Sequence, residues 1–240
     1  KLETAAQQKF LHRVVTFRKL HRRLGWKFWA FISGGAALSS ETEGFFKSLG
    51  YAVVQGYGMT ETASLISLNH PFRAAQGSVG KILPGREFRL ASDGEILVRG
   101  ENVSSGYFEK GTIRTRSEDG GWLCTGDLGE LDSDGNLRFR GRKKNLIVTP
   151  AGMNVYPEDL EAAIRAQPGV RDVVVVPIQS GSDTEACAVL LLQTATDAAA
   201  IVSRANNSLS EYQRIRRFIL WPDDDFPRTP TGKPKLALIA

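Results

Sequence analysis

Apolar residues fall along this chain in three textures, each predicting a different kind of structure. From about Leu2 to Leu24, Phe10, Val14, Phe17, Leu20 and Leu24 recur at helical spacing, which predicts an amphipathic helix. Arg13, Arg18, Lys19, Arg22 and Arg23 occupy much of its remaining surface, as suits a solvated face or a membrane surface. Phe28 to Ser33 is a short apolar run ending at Gly34-Gly35 and reads as a buried strand. Ser40 and Glu43 form a capping-box pattern that opens a helix through Leu49. Tyr51 to Gln55 reads as a second strand, followed by a glycine-bearing loop. Strand–helix–strand order predicts a parallel α/β layer, and ligands of such layers bind at the carboxyl ends of the strands. Gly34-Gly35 and the segment from Gly56 to Glu61 both fall there.

From about Gly80 to Arg140 the pattern becomes short alternating stretches between glycine and aspartate turns, such as Glu95 to Arg99 and Asn136 to Phe139. That predicts antiparallel β structure, a small barrel or a meander. Gly141 to Asn145 is polar and basic, like a hinge. After it come a strand at Leu146 to Val148, a helix with Pro157 in its first turn, strands at Val173 to Pro177 and Cys187 to Leu192, and a long helix covering much of Asp197 to Arg214. The expected fold class is α/β plus α+β. A large-domain portion with a parallel layer and a small β-barrel spans residues 1–141, and a small mobile α+β domain spans 142–240.

The 240 residues, 42% hydrophobic, suffice for a real core in one large domain or two small ones. A net charge of +5 favours anionic ligands without choosing among them. Cys124 and Cys187 stand far apart with no Cys-x-x-Cys spacing, which argues against a disulfide framework or a zinc site and fits a reducing cytoplasm, the expected location. No apolar run approaches the roughly 20 residues of a membrane span, and the polar start lacks a signal peptide. The chain opens at Lys1 inside a helical pattern, so the true N-terminus is expected to lie upstream.

Four segments carry candidate chemistry. In Gln55-Gly56-Tyr57-Gly58-Met59-Thr60-Glu61, glycine lets backbone approach a phosphate, Thr60 offers a hydroxyl, and Glu61 offers a carboxylate suited to Mg²⁺. Alone, such a segment could equally be a tight turn. Asp127, after Thr125-Gly126, could hold ribose hydroxyls or satisfy its own Asx-turn. Arg142 could donate to the same ribose or face solvent. Lys233 closes Pro230-Thr231-Gly232-Lys233 and could neutralise charge developing in phosphoryl or acyl transfer. It is not a P-loop lysine, because Pro234 follows it. Asp223-Asp224-Asp225 reads as a solvated run. His12, His21 and His70 show no metal spacing, and Ser33 lacks a nucleophile elbow.

Together these segments resemble the adenylate-forming superfamily of acyl-CoA synthetases, peptide-synthetase adenylation domains and luciferases. The order is the family's. Ser33-Gly34-Gly35-Ala36 resembles the border of the adenine and acyl pockets, and Gln55 to Glu61 the signature loop. Gly94 to Gly100 with Gly106-Tyr107 resembles a structural β segment. Trp122 to Leu128 resembles the ribose-binding turn, Gly141-Arg142-Lys143-Lys144 the interdomain hinge, and Pro230 to Lys233 the catalytic-lysine loop.

The resemblance implies a two-step reaction: a carboxylic acid, fatty or aryl, reacts with ATP to give an acyl-adenylate and pyrophosphate, and a thiol then takes the acyl group. It implies Lys233, Thr60 and Glu61 as catalytic residues, with Glu61 holding Mg²⁺. Gly34, Gly35, Ala36, Gln55, Gly56, Tyr57, Gly58, Met59, Asp127, Phe139 and Arg142 would line the ATP/AMP site. Lys144 would be the hinge, and Gly152 would wall the tunnel for the thiol of coenzyme A. An acyl carrier protein is the alternative acceptor, and a non-catalytic nucleotide- or partner-binding module the alternative class. Neither nucleic acid nor a transmembrane segment is expected. The hinge reads Lys143-Lys144-Asn145 where an aspartate often stands, and Pro150-Ala151-Gly152 replaces a commoner pair of small residues. The family's phosphate-gripping loop is missing from these residues. The chain is therefore expected to be the C-terminal portion of an enzyme roughly twice as long, inactive alone without its N-terminal half.

Overall fold

The computed structural model describes residues 8–239, apart from 36–37, 76, 105, 110, 115–116, 119, 181–182, 194–196 and 231. The chain separates into two compact units, Lys1–Phe139 and Arg140–Ala240.

In the first unit the expected long helix is two short ones, α1 (Phe10–Thr16) and α2 (Arg18–Leu24), broken at Phe17, whose φ of −101° and ψ of 24° leave helical geometry. Phe10, Val14, Phe17 and Leu20 are half-buried, and the one fully buried residue of the pair is polar. His21 is buried, with a ring nitrogen 3.0 Å from the Leu49 carbonyl and the ring stacked 4.4 Å from Tyr51. Gly50 adopts φ +86° and lies so close to α1 that a Cβ would come within 2.8 Å of the Val14 nitrogen, a position only glycine fills without strain. β1 (Ala30–Ser33) is shorter and more open than a buried strand, with Ile32 79% exposed. Helix α3 (Ser40–Ser48) is capped one residue earlier than expected: Ser39 Oγ accepts from the Thr42 N–H, satisfying a donor the helix start leaves open. The expected parallel pairing forms between β1 and β2 (Ala52–Met59), from Ala30 opposite Ala52 to Ser33 opposite Gln55.

β2 runs four residues beyond Gln55, so Gly56 to Met59 is strand and not loop. β3 (Ser64–Leu68) returns antiparallel to it, and β4 (Lys81–Ile82) extends the sheet in the order β1-β2-β3-β4. A second sheet holds β5 (Glu87–Leu90) and β6 (Glu95–Arg99). The chain then passes through the hairpin of β7 (Tyr107–Glu109) and β8 (Thr112–Arg114) to β9 (Ser117–Glu118). β10 (Trp122–Leu131) and β11 (Leu137–Arg142) complete the second sheet in the order β11-β10-β6-β5, with β9 beside β10. Tyr57 and Ile66 of the first sheet share one core with Ile96, Val98, Leu123 and Leu137 of the second.

The second unit opens with a hairpin of β12 (Ile147–Val148) and β13 (Asn154–Val155), then α4 (Pro157–Arg165) with proline at its start. β14 (Val170–Ser180) and β15 (Asp183–Leu192) form an antiparallel hairpin longer than expected. After α5 (Ala198–Asn206), capped by Asp197, β16 (Arg217–Leu220) joins β15 in parallel. The helix expected across Asp197 to Arg214 is thus shorter and gives way to a 3₁₀ turn at Glu211–Gln213. Successive strand residues point to opposite faces. Val173 and Val175 therefore meet Leu160, Ile164 and Ile201 of the helices, while Val174 and Val176 meet Phe226 and Ile239 of the C-terminal segment. Each such buried aliphatic side chain contributes about 1.5–3 kcal/mol, so the segment leading to Lys233 is tied to the back of this sheet. The fold-class expectation holds: a mixed α/β layer with an antiparallel sheet, then an α+β unit.

Candidate functional site

In the first unit the register of β1 against β2 sets Ser33 opposite Gln55, and Gly34 continues alongside Gly56. Gly34 and Gly35 are exposed; Ala36 lies outside the described residues. Gln55 is buried and its amide donates to Glu43 Oε2 at 3.1 Å, so this side chain braces β2 against α3. Gly56 is packed under Leu65 and Leu68, where a Cβ would meet their methyls at 2.9 and 3.0 Å. A bulge between Tyr57 and Gly58 turns the strand toward Met59.

The turn that follows is a single 3₁₀ turn, Thr60–Thr62, closed by Ala63 at φ +50°. Among the described residues Ala63 is the only non-glycine with positive φ, a conformation that a surrounding network must hold in place. Here Thr62 Oγ1 binds both the N–H and the carbonyl of Met59, Asn102 donates to the Thr62 carbonyl at 2.6 Å, and the Ser104 N–H donates to the Glu61 carbonyl at 2.7 Å. Thr60 is exposed and Glu61 half-exposed on this braced turn. Thr62, Asn102 and Ser104 carry no motif of their own, so no local pattern marks them.

Asp127 corrects its expected setting. It is not on an open turn but inside β10, at a bulge between Cys124 and Leu128 that Gly126 permits with φ +71°. Only 2% exposed, its carboxylate accepts the Tyr57 hydroxyl at 2.7 Å across 70 residues of sequence. The Thr125 hydroxyl accepts from its N–H and donates to the Ile96 carbonyl, while Glu95 Oε1 accepts the Gly126 N–H. The half-buried Phe139 ring lies 6.3 Å from the Tyr57 ring. Two segments far apart in sequence, Gln55 to Glu61 and Thr125 to Asp127, thus meet at one place, with Phe139 beside them.

The second unit carries the basic candidates. Arg142 ends β11 and is exposed, as are Lys143 and Lys144 in the 3₁₀ turn Lys143–Asn145. Gly152 sits exposed at φ +74° in the turn between β12 and β13, with its N–H on the Thr149 carbonyl at 2.8 Å; glycine there has a backbone reason of its own. Beside this turn opens a pocket of about 620 Å³, bordered by Thr149, Ala151, Met153, Tyr212, Arg214 and Arg216.

Lys233 is exposed at the tip of a clamped turn. Its carbonyl accepts from the Thr229 N–H at 2.8 Å and its N–H donates to Thr229 Oγ1 at 3.1 Å, with Gly232 at φ +80°. Arg228 holds the base. It donates to Asp172 Oδ2 and Asp225 Oδ1, each at 2.7 Å, and to the Gly232 carbonyl at 3.0 Å. Hydrogen bonds to Asp225 and then Asp172 raise the Arg228 pKa, and the Arg228 bond lowers that of Asp225. Asp225 is therefore a structural anchor, not part of a merely solvated run. Thr231 lies outside the described residues.

A family model described as AMP-binding enzyme matches residues 4–108. The long-chain-fatty-acid–CoA ligase FadD15 of Mycobacterium tuberculosis is 36% identical over 94% of this chain and 42% of its own length. The long-chain-fatty-acid–CoA ligase of Escherichia coli O157:H7 is 31% identical over 80% of this chain and 36% of its own length. Among solved structures, the o-succinylbenzoate coenzyme A synthetase MenE of Bacillus subtilis in complex with AMP superposes with a TM-score of 0.79 at 28% identity, over 92% of this chain and 48% of that one. Its complex with ATP and magnesium ion gives 0.77 at 30% identity, over 85% and 45%. The chain belongs to the AMP-binding, adenylate-forming enzymes. It spans about two fifths of the length of the curated ligases it matches. Among the described residues no helix is long and apolar enough to cross a membrane, and both cysteines are free.

Proposed function

We propose that the protein carrying this sequence is an AMP-forming acid–thiol ligase that activates a fatty acid with ATP and transfers the acyl group to coenzyme A. The observation that carries this reading is the Tyr57–Asp127 hydrogen bond, which joins the signature segment to the ribose segment. The names of the related ligases favour a long-chain acid over an aryl one. That the related MenE was solved with ATP and magnesium ion, and with AMP, supports the same ligands here.

In the first half-reaction a carboxylate oxygen attacks the α-phosphorus of ATP, and the bond to the oxygen bridging toward the β-phosphate breaks, releasing pyrophosphate. Two anions approach, so preorganised donors and cations set the rate. Thr60 contacts the α-phosphate from its braced turn, and the exposed Lys233 spans carboxylate and α-phosphate. Asp127 and Arg142 hold the ribose, while Phe139, Gly34, Gly35 and the backbone from Gln55 to Met59 border the adenine. The half-exposed Glu61 carboxylate fits Mg²⁺, which binds proteins through one or two carboxylates and completes its shell with phosphates and water; when bound, the ion offsets phosphate charge. In the second half-reaction the thiol sulfur attacks the acyl carbon, the carbon–oxygen bond to AMP breaks, and the thiol proton goes to solvent. For that step the chain turns at Lys144, and the thiol arm passes Gly152.

The test is acid-dependent exchange of pyrophosphate into ATP by the complete protein, across fatty, aryl and amino acids, followed by acyl transfer to coenzyme A or to a phosphopantetheinyl carrier. Exchange with fatty acids and transfer to coenzyme A are expected. Transfer only to the carrier would make it an acyl-AMP ligase, and no exchange with any acid would favour a binding module without chemistry.

A further inference from the structure

β14 begins with an irregularity. Its register against β15 slips between Val170 and Asp172, so Arg171 is an extra residue in the ladder. Consecutive residues of a regular strand point to opposite faces, and a bulge is where a strand re-aims a side chain. Val170 packs on the helix side together with Val173 and Val175, and both residues between Val170 and Val173 reach the C-terminal segment. Arg171 Nη1 donates to the Asp224 carbonyl at 2.6 Å, and Asp172 Oδ2 accepts from Arg228 Nη2 at 2.7 Å. The other oxygen of Asp172 is fixed as well: Oδ1 accepts the Val173 N–H at 2.9 Å and Arg165 Nη2 of α4 at 3.3 Å. Both carboxylate oxygens are thus in use, one toward the helix and one toward the lysine turn.

The partners of Arg228 divide by where they lie. Asp225 stands on the same segment, and the Gly232 carbonyl belongs to the turn itself; neither bond can fix the turn relative to the sheet. Among the described residues, Asp172 is the one hydrogen-bond partner of Arg228 that stands on another element. It is also the less hydrated carboxylate, 18% exposed against 45% for Asp225, so water screens its pair with Arg228 less. Packing of Phe226 on the sheet is non-directional; the Asp172 pair adds direction. From Arg228 the path to the lysine is short. Arg228 Nη1 holds the Gly232 carbonyl at 3.0 Å, Lys233 is the next residue, and a bridge between Arg228 and Pro234 closes the turn just past it.

We propose that Asp172 is a positioning residue for adenylation: through Arg228 it fixes the Gly232–Lys233 peptide on the sheet of its own unit and so sets the place from which the Lys233 ammonium reaches the reacting groups. This rests on the reading of Lys233 as the cation of the first half-reaction. On that reading the ammonium has no part in acyl transfer, so loss of Asp172 bears on one half-reaction and spares the other.

The experiment uses the complete protein with Asp172→Asn, Arg228→Ala and both together, beside Lys233→Ala. Adenylation is followed in a single turnover without coenzyme A, and thioester formation is followed from preformed acyl-adenylate. Asparagine keeps an oxygen for the Val173 N–H and removes the charge that Arg228 pairs with. Asp172→Asn should slow adenylation by about tenfold or more, as misplacement of a reacting group does, and leave thioester formation within about twofold. The double variant should adenylate no more slowly than Arg228→Ala alone, because losses along one path do not add. Asp172→Ser, which also leaves an acceptor for the Val173 N–H, repeats the test should the first variant not fold. Equal slowing of both half-reactions would make Asp172 merely structural, unslowed adenylation would show that the turn needs no such tie, and additive losses in the double variant would route the effect past Arg228; each of these overturns the proposal. A protein without acid-dependent exchange, or one whose adenylation survives Lys233→Ala, sinks the underlying reading instead.

Discussion

Replacing Glu161 by glutamine should stabilise the second unit at alkaline pH and do little at acid pH. Glu161 sits on α4 facing β14, where its carboxylate accepts the Val175 N–H at 2.9 Å. Burial pushes its pKa from an ordinary 4.5 up to about 7; the Val175 hydrogen bond and Arg165 pull it back, and Glu158 and Asp172 add to the rise. The folded protein therefore keeps a proton that the unfolded chain releases. Stability on this account is greatest below the unfolded pKa, declines as pH rises from about 4.5 to 7, and stays at its reduced value above that. A shift of this size corresponds to about 3 kcal/mol of destabilisation at pH 8 and about 1 kcal/mol or less at pH 5. Glutamine retains a carbonyl acceptor for the Val175 N–H and removes the charge. Hydrogen exchange of the β14 and β15 amides, compared with the unsubstituted protein at the same pH, reads the difference directly. Protection should rise by about 10²-fold at pH 8 and by less than about tenfold at pH 5. An equal gain at both pH values, or a loss at pH 8, would refute the assignment of a part-buried, proton-retaining carboxyl.

Two further predictions follow from the braces around the site. Arg228→Ala unclamps the lysine turn by removing its bonds to Asp172, Asp225 and the Gly232 carbonyl; adenylation should slow by about 10²-fold, as small misplacements of a reacting group do, and an unchanged single-turnover rate would show that the turn holds itself. Tyr57→Phe removes the hydroxyl that Asp127 accepts inside the protein, a loss of about 1–3 kcal/mol; the complete protein should bind ATP at least about fivefold more weakly, and unaltered affinity by calorimetry would separate Tyr57 from the nucleotide.

Much of this architecture was legible in the pattern of apolar residues, and the misreadings have physical causes. The parallel β1–α3–β2 arrangement announced itself because two apolar runs flank a helix rich in serine and glutamate at its start. Glycine lowers strand propensity, so the apolar pattern ends β2 at Gln55, yet pairing with β3 carries the strand through Gly56 and Gly58. Thr125-Gly126-Asp127 reads as a turn in sequence and is a bulge in a long strand, since local propensity cannot report a neighbouring strand. The single helix over Leu2 to Leu24 failed at Phe17, a break that its continuous heptad-like spacing conceals. Arg228 and Asp172 are 56 residues apart, and no local pattern foretells such a pair. Lys233, by contrast, is conspicuous, because the prolines and glycine around it mark a built turn.

The central claim is that Lys233 and the Thr60–Glu61 turn serve one adenylation reaction, and its most direct test is acid-dependent exchange of pyrophosphate into ATP by the complete protein with and without Lys233→Ala. Exchange supported by long-chain fatty acids, and reduced by about 10²-fold or more in the variant while preformed acyl-adenylate still passes to coenzyme A, is the predicted result. Exchange that survives the loss of Lys233, or that no acid supports, would contradict the account.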